Sequence, residues 1–155
     1  IQYLKNKKTK FFFKNLIIKQ YTNKIEISSF GLKIQNITQF IKEAVFKSDI
    51  TNGIINLTIL NTTASLIIQE NADPEVLEDI ETFFKDLVPM NGNYRHSSEG
   101  RDDMPAHIKS VLTNTNLTLS IINREMELGI WQGIYLFEHR EIKKNRVILV
   151  HIIGS

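Results

Sequence analysis

The chain of 155 residues contains no cysteine. A disulfide, a thiolate metal site and a catalytic cysteine are therefore excluded, and any metal ion would need imidazole, carboxylate, amide or backbone oxygen ligands. No apolar run is long enough to cross a bilayer, so we expect no membrane span. With only three prolines and no internal repeat or low-complexity linker, the sequence predicts one domain with a substantial core.

Acidic residues are missing from the first 19 positions, which carry six lysines, whereas the rest of the chain has 13 Lys and Arg against 17 Asp and Glu. The net charge of +2 therefore combines a basic appendage with an acidic body, which argues against a nucleic-acid-binding face. We interpret residues 1–19 as a basic N-terminal extension and residues 20–155 as the domain. We expect a cytoplasmic protein, although the basic and aromatic extension leaves organelle targeting open.

Hydrophobic periodicity predicts strands at both ends of the domain, with helices between them. The expected strands are residues 21–28, 32–35, 54–60, 65–70, 117–122, 130–138 and 146–153. Asn36, followed by Gln39 as in a capping box, and Asp73 are the expected N-caps of two longer helices. Asp103 is expected to cap a short helix over residues 104–112. This order predicts an α+β fold with a mainly antiparallel sheet packed with two longer helices and one short helix.

The densest polar chemistry lies in residues 91–110, which contain two of the four histidines. A loop and a helix start separate His96 from His107, a spacing that can bring two imidazoles to one point. Helical spacing places His107 on one face with three apolar residues, Met104, Ile108 and Val111. This face is predicted to point inward, where an imidazole needs a hydrogen bond or a metal. The residues alone leave two roles open for His107, a hydrogen-bonded core histidine and a metal ligand.

Charged residues around this helix start allow several kinds of site. Two histidines with a carboxylate such as Glu99 are a common metal-binding set, and they also suit acid–base chemistry near neutral pH. The free N–H groups of a helix start favour an anion, with Arg101 and Lys109 nearby, unless both are solvated surface charges. Asp102 and Asp103 could cap the helix or hold a divalent ion that accompanies a phosphate.

The predicted strand 130–138 carries polar residues on a largely apolar face. Alternation puts Gln132 and Glu138 on that face, where an amide and a carboxylate need partners. His139 and Arg140 follow directly, and we interpret them as residues that pair at the surface.

Three long motifs resemble the YjbQ-like family, whose members are described as secondary thiamine-phosphate synthases. The motifs begin at Asn61, Asn91 and Gly129, and they read NTTASLIIQENADP, NGNYRHSSEGRDDMPAHIKS and GIWQGIYLFEHR. The resemblance runs from about residue 20 to Gly154. It implies a compact α+β subunit that assembles as a homotrimer.

The resemblance also implies an enzyme, a transferase that joins a pyrimidine pyrophosphate to a thiazole phosphate and releases pyrophosphate. A small phosphorylated molecule is therefore the expected ligand. A divalent metal, Mg²⁺ or Zn²⁺, would be held by His96 and His107. The catalytic residues that the resemblance implies are His107, Glu70 and Glu138. The implied substrate- or anion-binding residues are Asn61, Thr62, Lys109 and Gln132.

One position departs from the family pattern, because Asn61 stands where the family usually has histidine. Asparagine cannot replace imidazole as a zinc ligand or a proton carrier, so metal affinity and any dependent catalysis are expected to fall. From the residues alone, the segment around Asn61 is either a substrate cradle or only a turn. The alternative function is a non-catalytic trimer that binds a small anion or a metal. A metal-dependent hydrolase would share these residues but lacks a clear nucleophile-positioning motif.

Overall fold

Eight strands and three helices form the part of the chain that the computed structural model describes, residues 17–155. The strands are β1 (Lys19–Ser28), β2 (Ile34–Asn36), β3 (Gly53–Ile59), β4 (Ala64–Glu70), β5 (Asn116–Ile122), β6 (Glu125–Met126), β7 (Gln132–Glu138) and β8 (Asn145–Gly154). The helices are α1 (Thr38–Ser48), α2 (Pro74–Leu87) and α3 (Asp103–Leu112). Most of the predicted extension, residues 1–16, lies outside the described residues, so the division at residues 19 and 20 stays a prediction.

The strands form two antiparallel sheets. The larger sheet has the order β1-β8-β3-β5-β6, and the smaller one has the order β2-β7-β4. β1 and β8 pair along their whole length, from Lys19 opposite Gly154 to Ser28 opposite Asn145. The predicted α+β domain with mainly antiparallel pairing, two longer helices and one shorter helix is confirmed. The two-residue strand β6 was not predicted, because two residues are too few to show alternation.

Strand β7 is buried on both faces because it separates two apolar clusters. Ile134 and Leu136 face the main core, which collects aliphatic side chains from both sheets and from α1. Tyr135 and Phe137 face a smaller cluster on the other side, where Phe84 of α2 packs. The rings of Phe84 and Phe137 meet edge to face, with centroids 5.3 Å apart. The predicted alternation along this strand is therefore confirmed.

The predicted N-cap is present at the start of one of the two longer helices and absent at the start of the other. Asp73 caps α2 as predicted, and its side chain accepts a hydrogen bond from the backbone N–H of Glu75. The predicted capping box of α1 is wrong: no side chain caps this helix at Ile37, and Asn36 instead accepts from the N–H of Thr38 at 2.9 Å. None of the helices within residues 17–155 is both long and apolar enough to cross a membrane.

Candidate metal centre

Three side chains of the metal-ligating type meet where the segment after α2 enters α3. Nε2 of His96 lies 2.8 Å from Oδ2 of Asp103, and Nε2 of His107 lies 3.6 Å from the same oxygen. The two imidazole rings have centroids 5.7 Å apart. One ligand atom from each residue falls within 4.8 Å of the other two. We refer to these three residues as the metal centre, because a single ion could contact all of them.

Helix α3 supplies two of the three side chains. Asp103 is its first residue and His107 follows one turn later, so both project from the same side. The predicted inward face is wrong, because Val111 is 84% exposed. The buried residues of the helix are Asp103, Pro105, Ala106, Lys109 and Ser110. His107 thus lies at the edge of the buried face, with a side chain that is 34% exposed.

Arg140, just beyond the end of β7, fixes the start of α3. Its Nε donates to Oδ2 of Asp102 at 3.0 Å, a second N–H group donates to Asp103, and a third donates to the carbonyl of Glu99 at 2.8 Å. We call this group the Arg140 clamp. The predicted surface pairing of His139 and Arg140 is wrong, because both residues are buried. The clamp engages one oxygen of Asp103 and leaves the other facing the two histidines.

Asp102 belongs to the clamp and does not act as a free ligand. Burial alone would raise its pKa, but hydrogen bonds from Arg140 and from the backbone N–H of Glu141 lower the pKa of this carboxyl below its ordinary value. Asp102 occupies the N-cap position of α3 without a side-chain cap bond. The prediction that Asp103 caps the helix is therefore wrong. Arg101, for which an anion contact and a solvated surface charge were both open, forms an exposed ion pair with Glu141 at 2.9 Å.

The donor set fits a zinc-like ion better than Mg²⁺. Two imidazole nitrogens and a carboxylate oxygen are ligands that Zn²⁺ accepts, whereas Mg²⁺ prefers oxygen ligands and retains several waters. The side chain of His96 is 44% exposed, while that of Asp103 is 1% exposed. The three ligands are therefore anchored on one side and open on the other, which leaves room for a further ligand.

Two other predicted site residues lie far from the metal centre. In the β4–β7 register, Glu70 pairs with Gln132, whereas Ala64 at the opposite end pairs with Glu138. Six residue steps along the strand separate the two pairs, a distance of about 20 Å. The side-chain oxygen of Gln132 accepts from the backbone N–H of Gly129 at 2.7 Å. Within one chain, the structure does not bring Glu70 or Gln132 to the histidines.

Glu138, a predicted catalytic residue, is enclosed in a buried ion pair. Its Oε2 accepts from Nε of Arg146 at 2.7 Å, and its Oε1 accepts from another N–H group of the same guanidinium. The backbone N–H groups of His139 and Arg140 also donate to Oε1, each at 3.0 Å. The carboxylate therefore ties β7 to β8 and positions the two residues that follow it.

Asn61 stabilises a local turn. Its side-chain oxygen accepts from the backbone N–H of Thr63 at 2.7 Å and from the hydroxyl of the same residue at 2.9 Å. Thr63 in turn accepts from Arg146. Thr62 is exposed beside this turn. The geometry matches a turn in which the asparagine oxygen is already engaged.

A second polar cluster surrounds a cavity of about 320 Å³ between α2, α3 and the end of β7. Lys109 and His139 both line it and are 4% and 1% exposed. Burial lowers the pKa of His139 to about 3, helped by the charges of Lys109 and Arg146. Burial and the charge of Lys85 lower the pKa of Lys109. His139 was not among the predicted site residues, because nothing in its local sequence indicates that it packs beside α3.

Fold and geometry together define a single-domain α+β protein with an accessible His–Asp–His centre. Residues 23–155 match the family described as UPF0047 protein YjbQ-like, and the chain belongs to this family.

Relatives with the same family name come from different bacteria. The chain is 44% identical over 138 residues to the UPF0047 protein sll1880 of Synechocystis, covering 88% of this chain and 94% of that protein. It is 46% identical over 103 residues to the UPF0047 protein YjbQ of Escherichia coli O157:H7, covering 66% and 75%.

Solved structures show the same fold. A YbjQ-like protein of unknown function from Sulfolobus solfataricus superposes with a TM-score of 0.83 at 25% identity, covering 90% of this chain and 100% of that one. A YjbQ/UPF0047 protein from Clostridium acetobutylicum gives a TM-score of 0.78 at 33% identity, covering 84% and 98%.

The expected thiamine-phosphate synthase activity is wrong. The relatives carry family names that state no activity, and the Sulfolobus protein is described as being of unknown function. Similarity to these proteins therefore identifies the family without supporting a transferase reaction. The homotrimer and the phosphorylated ligand stay predictions.

Proposed function

We propose that this protein binds a divalent transition-metal ion, with Zn²⁺ as the best match to the donor set. The ligands would be the Nε2 atoms of His96 and His107 and a carboxylate oxygen of Asp103. One observation supports this above all: three ligand atoms from a loop and a helix converge within 4.8 Å. The Arg140 clamp adds to the argument, because a ligand whose second oxygen is held by hydrogen bonding is oriented before the metal arrives.

The chemistry that such an ion supplies when bound is that of a Lewis acid. The residues around it would orient the ligands and limit their movement. His96 and His107 present partly exposed faces, so a water or a substrate group has access from one side. The proposed function is therefore metal binding at an open centre, and it requires no contribution from Asn61.

Equilibrium metal titration tests the proposal. Metal-free protein titrated with Zn²⁺ in competition with a chromophoric chelator is expected to bind one ion per chain. His107→Ala and His96→Ala should each lower the affinity at least about 100-fold, since each removes a ligand. Mg²⁺ should bind far more weakly than Zn²⁺, because no all-oxygen site is present among these three residues.

A matched control is available in His151, which lies on β8. His151→Gln removes an imidazole without touching the metal centre, so its Zn²⁺ affinity should equal that of the wild type. Equal affinities for the wild type, His96→Ala and His107→Ala would overturn the proposal. Elemental analysis of the protein as purified then identifies the ion that is bound in the cell.

A further inference from the structure

Two basic side chains line a shared cavity without an ion pair to an acidic residue among residues 17–155. The cavity lies between α2, α3 and the end of β7, and Lys109 and His139 line it. Lys109 is 4% exposed, and the one ionisable neighbour that affects it is another cation, Lys85. A positive charge that lines a cavity and has no counter-charge among the described residues favours an anionic occupant.

Of the three carboxylates that line the same cavity, two are engaged elsewhere. Glu138 is saturated by Arg146 and by two backbone N–H groups. Glu81 accepts from the backbone N–H of Ile34 at 2.7 Å. Glu78 lies exposed on α2 and forms no ion pair within residues 17–155. None of these carboxylates therefore pairs with Lys109 in the described chain.

His139 offers a second donor. Its Nε2 lies 2.9 Å from the hydroxyl of Ser65, which is fully buried and has this nitrogen as its partner. We assign the hydroxyl of Ser65 as the donor and Nε2 as the acceptor, which places the proton of the neutral ring on Nδ1. No hydrogen-bond partner for Nδ1 exists among residues 17–155.

We propose that this cavity binds the anionic head group of a small organic acid, with Lys109 and His139 as the contacting donors. One oxyanion would satisfy both unpaired groups at once. Phe137, Met90 and Leu32 give the cavity apolar surface for the body of such a ligand. Its volume of about 320 Å³ is at the small end of ligand pockets.

The acidic residues of α2 restrict the class of ligand that the cavity can bind. Glu78 and Glu81 lie on the cavity lining beside Lys85. They would repel a second negative group, so the cavity favours one acid group on a small apolar body over a polyphosphate. A carboxylate and a phosphate monoester share this chemistry, and the experiment distinguishes them.

The test uses the full chain and three probes: benzoate, phenyl phosphate and the neutral control benzamide. Binding is followed by isothermal titration calorimetry and by chemical-shift changes of the Lys109 and His139 side chains. One or both anions should bind while benzamide does not, and the tighter anion identifies the head group. Lys109→Met should weaken that binding at least about tenfold, the loss of one charge-assisted hydrogen bond. Lys143→Met, an exposed site that removes the same charge, should leave binding unchanged.

Stability without ligand gives an independent readout. Because Lys109 is a largely buried residue with no ion pair among residues 17–155, Lys109→Met should leave the denaturation midpoint unchanged or raise it. Absence of binding by both anions, equal binding by Lys109→Met, or a lower midpoint for this variant would each overturn the proposal. Zn²⁺ titration of the same variant should match the wild type, so failure of the metal proposal and failure of this one are separable.

Discussion

The two polar clusters that α3 helps to build differ in how their charges are balanced. In the metal centre, Asp103 has a cation on one oxygen and two imidazoles on the other, and a guanidinium holds the carboxylate in place. In the cavity, Lys109 is also a largely buried residue, but it forms no ion pair with an acidic residue among residues 17–155. The first cluster is preorganised by paired charges, whereas in the second cluster His139 is held by hydrogen bonds and Lys109 has no counter-charge among the described residues.

This difference shows that burial of a charged group has two distinct consequences. Where partners are present, as around Arg140, burial fixes geometry and the charges offset one another. Where partners are missing, as at Lys109, burial leaves a free-energy cost that a ligand can relieve. The following experiments test this contrast, in order of decreasing expected change.

Glu138→Gln should affect both clusters, because Oε1 of this carboxylate accepts from the N–H groups of His139 and Arg140. The substitution leaves the guanidinium of Arg146 buried without a full counter-charge. We expect the free energy of unfolding to fall by about 3–5 kcal/mol, measured by chemical denaturation.

The exposed Glu141→Gln serves as the control for this experiment. It removes the same charge near the surface and should change stability far less. A loss below about 1 kcal/mol for Glu138→Gln would contradict the assignment of this residue to a buried structural pair.

Acidification should destabilise the cavity side of the molecule through His139. Its folded pKa of about 3 lies below the ordinary value of 6.5. Between these values the unfolded state binds more protons, so the contribution to stability is full above pH 6.5 and is lost as the pH falls toward 3. The loss should reach about 2 kcal/mol near pH 5.

Comparing wild type with His139→Gln isolates this effect from the other titrating groups. Denaturation of both metal-free proteins between neutral pH and pH 5 should show a shallower slope for the variant. Identical slopes would mean that His139 is not held neutral by its surroundings.

Asp73→Ala should loosen α2, the helix that contributes Glu78, Glu81 and Lys85 to the cavity. Its side chain caps the helix at the N–H of Glu75. We expect a loss of about 1 kcal/mol in unfolding free energy, together with unchanged Zn²⁺ affinity. A fall in Zn²⁺ affinity would show that the two clusters are not independent.

Arg101→Ala is expected to have the smallest effect. Its ion pair with Glu141 is exposed, and its side chain is 74% accessible. Thermal melting and metal titration should both match the wild type, because solvent screens the pair. Weaker anion binding in this variant would favour the alternative in which Arg101 contacts an anion.

Local signals predicted the fold well because they depend on neighbouring residues. The cap at Asp73 and the alternation in β7 each involve groups a few positions apart. The face of α3 was mispredicted because its buried side carries Asp103 and Lys109, which a hydrophobicity pattern assigns to solvent. Their burial depends on tertiary partners and therefore does not appear in the helical periodicity.

The metal centre was partly predictable, since His96 and His107 flank one loop and helix start. The role of Asp103 was less predictable, because its carboxylate is oriented by Arg140, which lies 37 residues away in the sequence. The contact between Ser65 and His139 spans 74 residues. Spacing in the sequence does not encode contacts that depend on the pairing of distant strands.

His107 and Lys109 lie two positions apart on α3, although one belongs to the metal centre and the other to the cavity. Two positions along an α-helix correspond to a rotation of about 200°, so the two side chains leave α3 in nearly opposite directions. A helix of ten residues therefore separates the two sites by direction rather than by distance. Each site can be altered while the other keeps its own neighbours.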